Sequence, residues 1–148
     1  KRIEKGSTVL DLYCGIASIT QWVASKVKRI DGIEENSKSV EAAKVSVGLN
    51  KLENVRVFCG NAEAIHKRLA GGDYDSVIID PPRKGIGQGL CRELINSSIR
   101  KIVYVSCNPH SLAEDLKILS TVFNPTAIQP VDMFPHTDHI ECVIELTR

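Results

Sequence analysis

Cys107 stands in Val105-Ser106-Cys107-Asn108-Pro109, between an apolar run and a helix start. The run Lys101-Ile102-Val103-Tyr104-Val105 reads as a buried strand. Asn108-Pro109 opens a helix, because proline at an early helical position gives up no hydrogen bond. A thiol at a helix N-terminus feels the positive end of the dipole, which favours the thiolate. Cys107 is therefore a candidate nucleophile, at a sheet edge of the kind where α/β proteins bind ligands. A second signal is Asp11-Leu12-Tyr13-Cys14-Gly15-Ile16-Ala17-Ser18, where the first strand turns into the first helix. Gly15 permits the tight turn and lets a ligand approach the backbone. About 20 residues on, Glu34 ends the second strand, the position at which nucleotide-binding α/β folds bind ribose hydroxyls. The full G-x-G-x-x-G is absent, so these residues alone leave the turn open between a nucleoside site and a purely structural one.

These groups need a sheet to carry them. Strand-like segments cover 8–13, 29–34, 55–59, 74–80, 101–107, 126–133 and 140–146. Helical spacing covers Ser18 to about Lys26, with Ile19, Trp22 and Val23 on one face, and Ser37 to Leu49, with Val40, Ala43, Val47 and the stem of Lys44 inward. Further helices are expected over 62–69, 90–98 and 112–123. Alternation of strand and helix implies right-handed crossovers and a mostly parallel sheet. The last two strands follow one another without a helix and are expected to pair antiparallel. The expected fold is thus α/β, with a seven-stranded, mostly parallel sheet, and 1–148 form one domain.

With 43% hydrophobic and 25% charged residues the chain has the composition of a globular domain, not of a disordered or fibrous one. Its net charge of +1 does not by itself announce a nucleic-acid surface. Five cysteines, with no C-x-x-C, argue against a disulfide framework or zinc ribbon and fit a reducing, cytoplasmic setting. Cys14, Cys59, Cys91 and Cys142 are read as packing residues. No apolar stretch reaches the ~18 residues of a membrane span, and no signal peptide is visible. The chain opens at Lys1 close to its first strand, so a fragment of a longer protein is expected.

Asp11-x-x-Cys14-Gly15 with Glu34 resembles the class I S-adenosylmethionine-dependent methyltransferases, whose fold is Rossmann-like. Asp80-Pro81-Pro82-Arg83, Ser106-Cys107-Asn108-Pro109 and the segment Asp132-Met133-Phe134-Pro135-His136-Thr137-Asp138-His139-Ile140-Glu141 together resemble the RNA uracil-5-methyltransferases, which make 5-methyluridine in tRNA or ribosomal RNA. The resemblance covers essentially the whole chain, as that family's catalytic domain. It implies S-adenosyl-L-methionine as cofactor and RNA as partner. Upstream RNA-binding and central domains would lie outside this chain. It also implies contacts to the cofactor from Tyr13, Ser18, Glu34, Asn61 and Asp80, beside the Gly15 turn. Cys107 would be the nucleophile and Glu141 the base. The family usually reads Cys-Gly-x-Gly-Asn-Phe where this chain has Cys14-Gly15-Ile16-Ala17-Ser18-Ile19. Ala17 would add a methyl where the backbone nears the cofactor, and Ser18 is shorter than asparagine, so weakened cofactor affinity is expected.

Methylating carbon 5 of uracil requires a thiolate to add at carbon 6 and a base to remove the carbon 5 proton afterwards. Those two groups should face one pocket, into which the target base is splayed. Arg83 is a candidate substrate-binding residue, although its planar fork suits a uracil pocket, a phosphate or a neighbouring acid alike. His136 is another, as a loop-orienting or RNA-contacting residue. His136, Asp138, His139 and Glu141 are spaced too loosely across a proline turn to read as a metal site. A monomer without metal or membrane is expected. Two alternatives remain: a cytosine-C5 RNA methyltransferase, disfavoured by Ser-Cys-Asn-Pro, and a non-catalytic cofactor- or RNA-binding module, favoured only by the altered glycine turn.

Overall fold

The computed structural model describes residues 6–133, 135–137 and 140–148. Short apolar runs form the strands, because a parallel strand covered on both faces must be hydrophobic nearly throughout. These are β1 (Thr8–Leu12), β2 (Arg29–Glu34), β3 (Val55–Cys59), β4 (Ser76–Ile79) and β5 (Lys101–Ser106). Two further strands, β6 (Asn124–Val131) and β7 (Glu141–Thr147), complete one sheet in the order β3-β2-β1-β4-β5-β7-β6. β1 to β5 are mutually parallel, and β7 runs antiparallel to both β5 and β6. This is the expected Rossmann-like class I methyltransferase fold.

Alternation along the strands divides the core into two layers. On one side Leu10, Leu12, Val77, Ile79, Ile102 and Tyr104 pack under helices α3 (Ala62–Gly71), α4 (Gly87–Asn96) and α5 (Pro109–Leu119). On the other, Val9, Ile30, Val57 and Ile78 pack under α1 (Ser18–Ala24) and α2 (Ser37–Leu49). The chain steps from β1 outward to β3, then returns to the far side of β1 for β4. That reversal makes the gap between β1 and β4 a topological switch point, where open α/β sheets bind ligands beyond the carboxyl ends of their strands.

Several boundaries shift from expectation, each for a physical reason. Helix α4 begins at Gly87, not at residue 90. Helix α5 ends at Leu119 and begins at Pro109, with Asn108 Oδ1 accepting from the His110 amide. Strand β6 begins at Asn124 and carries Pro125 and Pro130, which an edge strand tolerates. Helix α1 stops at Ala24, and Trp22 is 71% exposed, with Lys26 Nζ over its ring. A seven-residue helix does not need the wide apolar face assumed for it. Lys44 is likewise exposed, and Cys59 is exposed at the rim of β3, not packed.

One charge lies fully inside the sheet. The Asp31 carboxylate, on β2, accepts two hydrogen bonds from Arg56 (2.8 and 2.6 Å) and one from the Tyr74 hydroxyl (2.7 Å). Burial alone would push this carboxyl up. The bonds from Arg56 and Tyr74 and the charges of Arg56 and Arg29 outweigh it and hold Asp31 below the usual carboxylate range. A lowered folded-state value means stability that is complete above the unfolded value and is lost as pH falls through the folded one. Replacing Asp31 by Asn should therefore cost about 3 kcal/mol or more at neutral pH. The penalty should shrink toward acid, read from urea unfolding between neutral pH and pH ~2.

Candidate active site at the carboxyl edge of the sheet

Tyr13, Gly15 and Ser18 follow β1, Glu34 ends β2, Asn61 follows β3, Asp80 and Arg83 follow β4, and Cys107 follows β5. β7 runs the other way, so Glu141, its first residue, lies at that same edge. His136 sits in the β6–β7 connection there. The fold thus gathers along one rim all ten residues singled out from the sequence. Phe134, Asp138 and His139 lie outside the described residues.

The turn after β1 is built on left-handed backbone. Tyr13, Gly15 and Ala17 all have positive φ, at 62°, 56° and 65°. Only Gly15 adopts this freely, and a left-handed non-glycine residue costs roughly 1 kcal/mol. The Ala17 amide donates to the Cys14 carbonyl (2.7 Å), and its own carbonyl accepts from Gln21. Its methyl is fully buried in the core among Val9, Val23, Val40 and Ala43. The expectation that this methyl would stand where the backbone nears a cofactor is corrected: it faces the core. Gly32 on β2 makes room for the turn, since a Cβ there would lie 2.8 Å from Cys14 Sγ. Above Gly15 a Cβ would meet nothing within 4 Å, so the turn opens onto free space.

Glu34 braces that turn. Its Oε2 accepts from the Gly15 amide (3.1 Å) and its Oε1 from the Asn36 amide (2.8 Å). Each oxygen keeps a second lone pair for a hydroxyl donor. An open glycine backbone beside a carboxylate fits the ribose end of a nucleoside. Asn61, exposed, lies one strand further out, and its carbonyl accepts from Ile65. Ser18 is exposed on the first turn of α1. Tyr13 is half-buried; burial, with the charges of Glu35 and Asp115, raises its phenol, so it stays neutral.

Asp11 lies beneath the turn, 1% exposed, and accepts a short hydrogen bond from the Thr20 hydroxyl. Burial pushes its carboxyl up to about 7; the Thr20 bond opposes this and the charge of Asp80 adds to it. Burial also pushes the Cys14 thiol up to about 12, with the Asp11 and Glu34 charges contributing, so Cys14 is inert.

The nucleophile turn is tied from both sides. The Ser106 hydroxyl accepts from the Asn108 amide (3.1 Å) and donates to the Asn108 carbonyl (3.0 Å), pinching the backbone around Cys107. The Asn108 side-chain amide donates to the Arg83 carbonyl (2.9 Å), which joins the turn to the Asp80-Pro81-Pro82-Arg83 loop. Cys107 is half-buried, one residue beyond β5 and one before the cap of an 11-residue helix. The β5–β7 register ends with Ser106 opposite Cys142, the residues next to Cys107 and Glu141, so both lie at the same end of this strand pair. Burial, and then the charge of Glu141, raise the Asp80 carboxyl. Arg83 is exposed, and its guanidinium forms no ion pair or hydrogen bond among the described residues. His136 is exposed with φ 69°. Among the described residues no group of three or more His, Cys, Asp or Glu is placed to hold a metal ion.

The residue that holds this loop was not foreseen. Asp115, on α5, is 4% exposed. Its carboxylate accepts from the Tyr104 hydroxyl (2.6 Å) and from the amides of Ile86 (2.9 Å) and Gly87 (3.1 Å). It thereby caps the first turn of α4, which has no capping side chain of its own. Gly85, with φ 75°, brings the backbone so close that a Cβ would lie 2.4 Å from Asp115 Oδ2. The carboxylate beside Cys91 and the burial of that thiol push it up to about 12, while Tyr104 is raised by burial and by the same carboxylate. The signal in the sequence was an acid at helical spacing between Leu112 and Leu119 on an otherwise apolar face.

The fold is that of the class I methyltransferases. The family model for tRNA (uracil-5-)-methyltransferase matches residues 2–148, and the chain belongs to that family. It is 44% identical over 148 residues to an uncharacterized RNA methyltransferase of Oceanobacillus iheyensis, covering 98% of this chain and 32% of that protein. It is 40% identical over 150 residues to an uncharacterized RNA methyltransferase of Bacillus cereus, covering 99% and 33%. The crystal structure of Pyrococcus abyssi tRNA (uracil-54, C5)-methyltransferase in complex with S-adenosyl-L-homocysteine superposes with a TM-score of 0.85 at 31% identity, covering 97% of this chain and 35% of that one. The chain therefore spans about a third of the length of the curated relatives it matches.

Two outcomes follow from this geometry. Asp115→Asn should lower stability by about 2 kcal/mol, as buried donors lose their acceptor, and should speed amide exchange at Ile86 and Gly87 at least about tenfold. Asp11 has the opposite pH sign to Asp31. A raised folded-state value means stability complete below the unfolded value and lost as pH rises through about 7. Asp11→Asn should thus gain on the native protein between pH ~4 and ~8, by up to roughly 4 kcal/mol, read from urea unfolding at the two pH values.

Proposed function

We propose that this chain is the catalytic unit of an enzyme that transfers a methyl group from S-adenosyl-L-methionine to carbon 5 of a uridine in tRNA or ribosomal RNA. The observation that carries the reading is the shared end of two strands: the β5–β7 register closes on Ser106 and Cys142, the neighbours of a half-buried thiol at a helix N-terminus and of the carboxylate of Glu141. Membership of the uracil-5-methyltransferase family supports it, as does the likeness to the Pyrococcus abyssi enzyme.

Each group has a step. Cys107, as thiolate, adds to carbon 6 of the uracil, and the carbon 5–carbon 6 double bond gives its electron pair to an enolate. S-adenosyl-L-methionine, when bound, supplies the electrophilic methyl group that carbon 5 then takes. Glu141 removes the proton from carbon 5, the double bond re-forms, and the Cys107 thiolate leaves. Glu34 binds the ribose hydroxyls of the cofactor over the open Gly15 backbone, Asn61 lies toward its adenine, and Ser18, Tyr13 and Asp80 line its remaining length. Arg83 and His136 face the RNA, whose target uridine must leave its stack to reach the thiol.

RNA carrying 5-fluorouridine tests both roles, because fluorine at carbon 5 cannot be removed as a proton. The full chain with S-adenosyl-L-methionine should form a covalent complex that survives denaturing electrophoresis, and Cys107→Ala should form none. On uridine RNA, Glu141→Gln should slow release of methylated product by about 10²–10⁴-fold while still forming the adduct. Absence of any adduct with the native protein would overturn the reading in favour of a binding module.

A further inference from the structure

At the amino end of the sheet, opposite the catalytic rim, β1, β2, β3 and α3 frame a cleft of about 510 Å³. Lys28, Arg29, Arg56, Lys67 and Arg68 line it, with Asp73 on its wall. Asp31 lies fully buried beneath, and three guanidinium groups converge on it: Arg56 at 2.6 Å, Arg29 at 3.6 Å and Arg68 at 4.0 Å. One carboxylate cannot neutralise three guanidinium cations. The surplus is concentrated here in a chain whose whole net charge is +1.

These cations are held in place before any ligand arrives. Arg68 lies 3.7 Å from the centroid of the Phe58 ring and Arg56 5.7 Å from it, while Arg29 lies 5.7 Å from that of Tyr74. Ring contacts and the shared carboxylate fix the guanidinium planes, so little side-chain entropy is left to lose on binding. The buried Nε–H of Arg29 stands 3.6 Å from Asp31 Oδ1, beyond hydrogen-bond length, and has no other partner among the described residues. A planar guanidinium fork matches two oxygens of a phosphate, and lysines add charge without demanding geometry.

We propose that this cleft takes a backbone phosphate of the RNA substrate, at a stretch remote from the target nucleotide; the proposal rests on the reading of the chain as an RNA-modifying enzyme. Strands of five or six residues at ~3.3 Å each put the cleft roughly 15–20 Å from the rim. A folded RNA spans that distance, whereas the target nucleotide does not. A phosphate held here orients the RNA without reading its sequence. The contact makes a near-neutral catalytic unit contribute directly to RNA affinity.

The test is a double substitution, Lys28→Gln with Lys67→Gln, in the full chain. It removes two cations and leaves the Asp31 cluster that supports the fold. Binding of a fluorescently labelled tRNA transcript is followed from about 50 to 200 mM salt. The variant should bind about fivefold to tenfold more weakly at the low end, and the slope of log affinity against log salt should flatten by about 1 to 2. Affinity for S-adenosyl-L-homocysteine and kcat at saturating RNA should not change, so the loss appears in KM alone. Equal slopes and affinities for variant and native protein would overturn the proposal. So would inorganic phosphate that raises the Tm of the native protein but not of the variant while RNA binding stays equal, since the cleft would then belong to free phosphate. The 5-fluorouridine adduct is measured separately: its absence alongside a flattened salt slope would overturn the catalytic reading and leave the cleft standing.

Discussion

One buried carboxylate sets the geometry around Cys107. Asp115 gathers the Tyr104 hydroxyl from β5 and the Ile86 and Gly87 amides from the loop after β4. Three elements remote in sequence thereby acquire a fixed mutual position. The loop so anchored presents the Arg83 carbonyl to the side chain of Asn108, the residue next to Cys107. Position passes from a helix interior to the Cys107 turn through hydrogen bonds of ordinary length. The Tyr104 hydroxyl would otherwise be a buried polar group without a partner, which is why the arrangement resists loosening.

Three aspartates in the same small domain show how environment decides what a carboxyl does. Asp31 is buried with two hydrogen bonds from a guanidinium and remains charged. Asp11 is buried with only a hydroxyl to help and another carboxylate nearby, so its proton is retained to about pH 7. Asp115 spends its oxygens on backbone amides and a phenol. The amino end of the sheet holds three arginines about Asp31, and the carboxyl rim holds Glu34, Asp80 and Glu141.

The fold was legible because its strands are short and apolar, and its helices are punctuated by Asn and Pro. Helix α2 matched residue for residue, since Asn36 caps it and Val40 and Ala43 recur at helical spacing. The start of α4 was not legible: no side chain near Gly87 caps it, and its cap comes from a helix 28 residues further on. Trp22 misled because aromatic rings usually seek the core, whereas here the ring serves as a platform for Lys26 on the surface. At the site, residue types and order pointed to Cys107, Glu34 and the Gly15 turn. Asp115 and the side chain of Asn108 escaped notice, because their partners lie far away along the chain.

Local chemistry by itself determined which segments become strands, which residue opens α5, and that a thiol stands at that helix start, because propensity, capping and alternation act over a few residues. Three matters waited for tertiary structure. These are the arrival of Cys107 and Glu141 at one end of an antiparallel strand pair, the inward turn of the Ala17 methyl, and the convergence of three arginines on one carboxylate. Each depends on strand order and long-range packing, and a backbone's neighbours across a sheet are set by topology, which no short window of residues encodes.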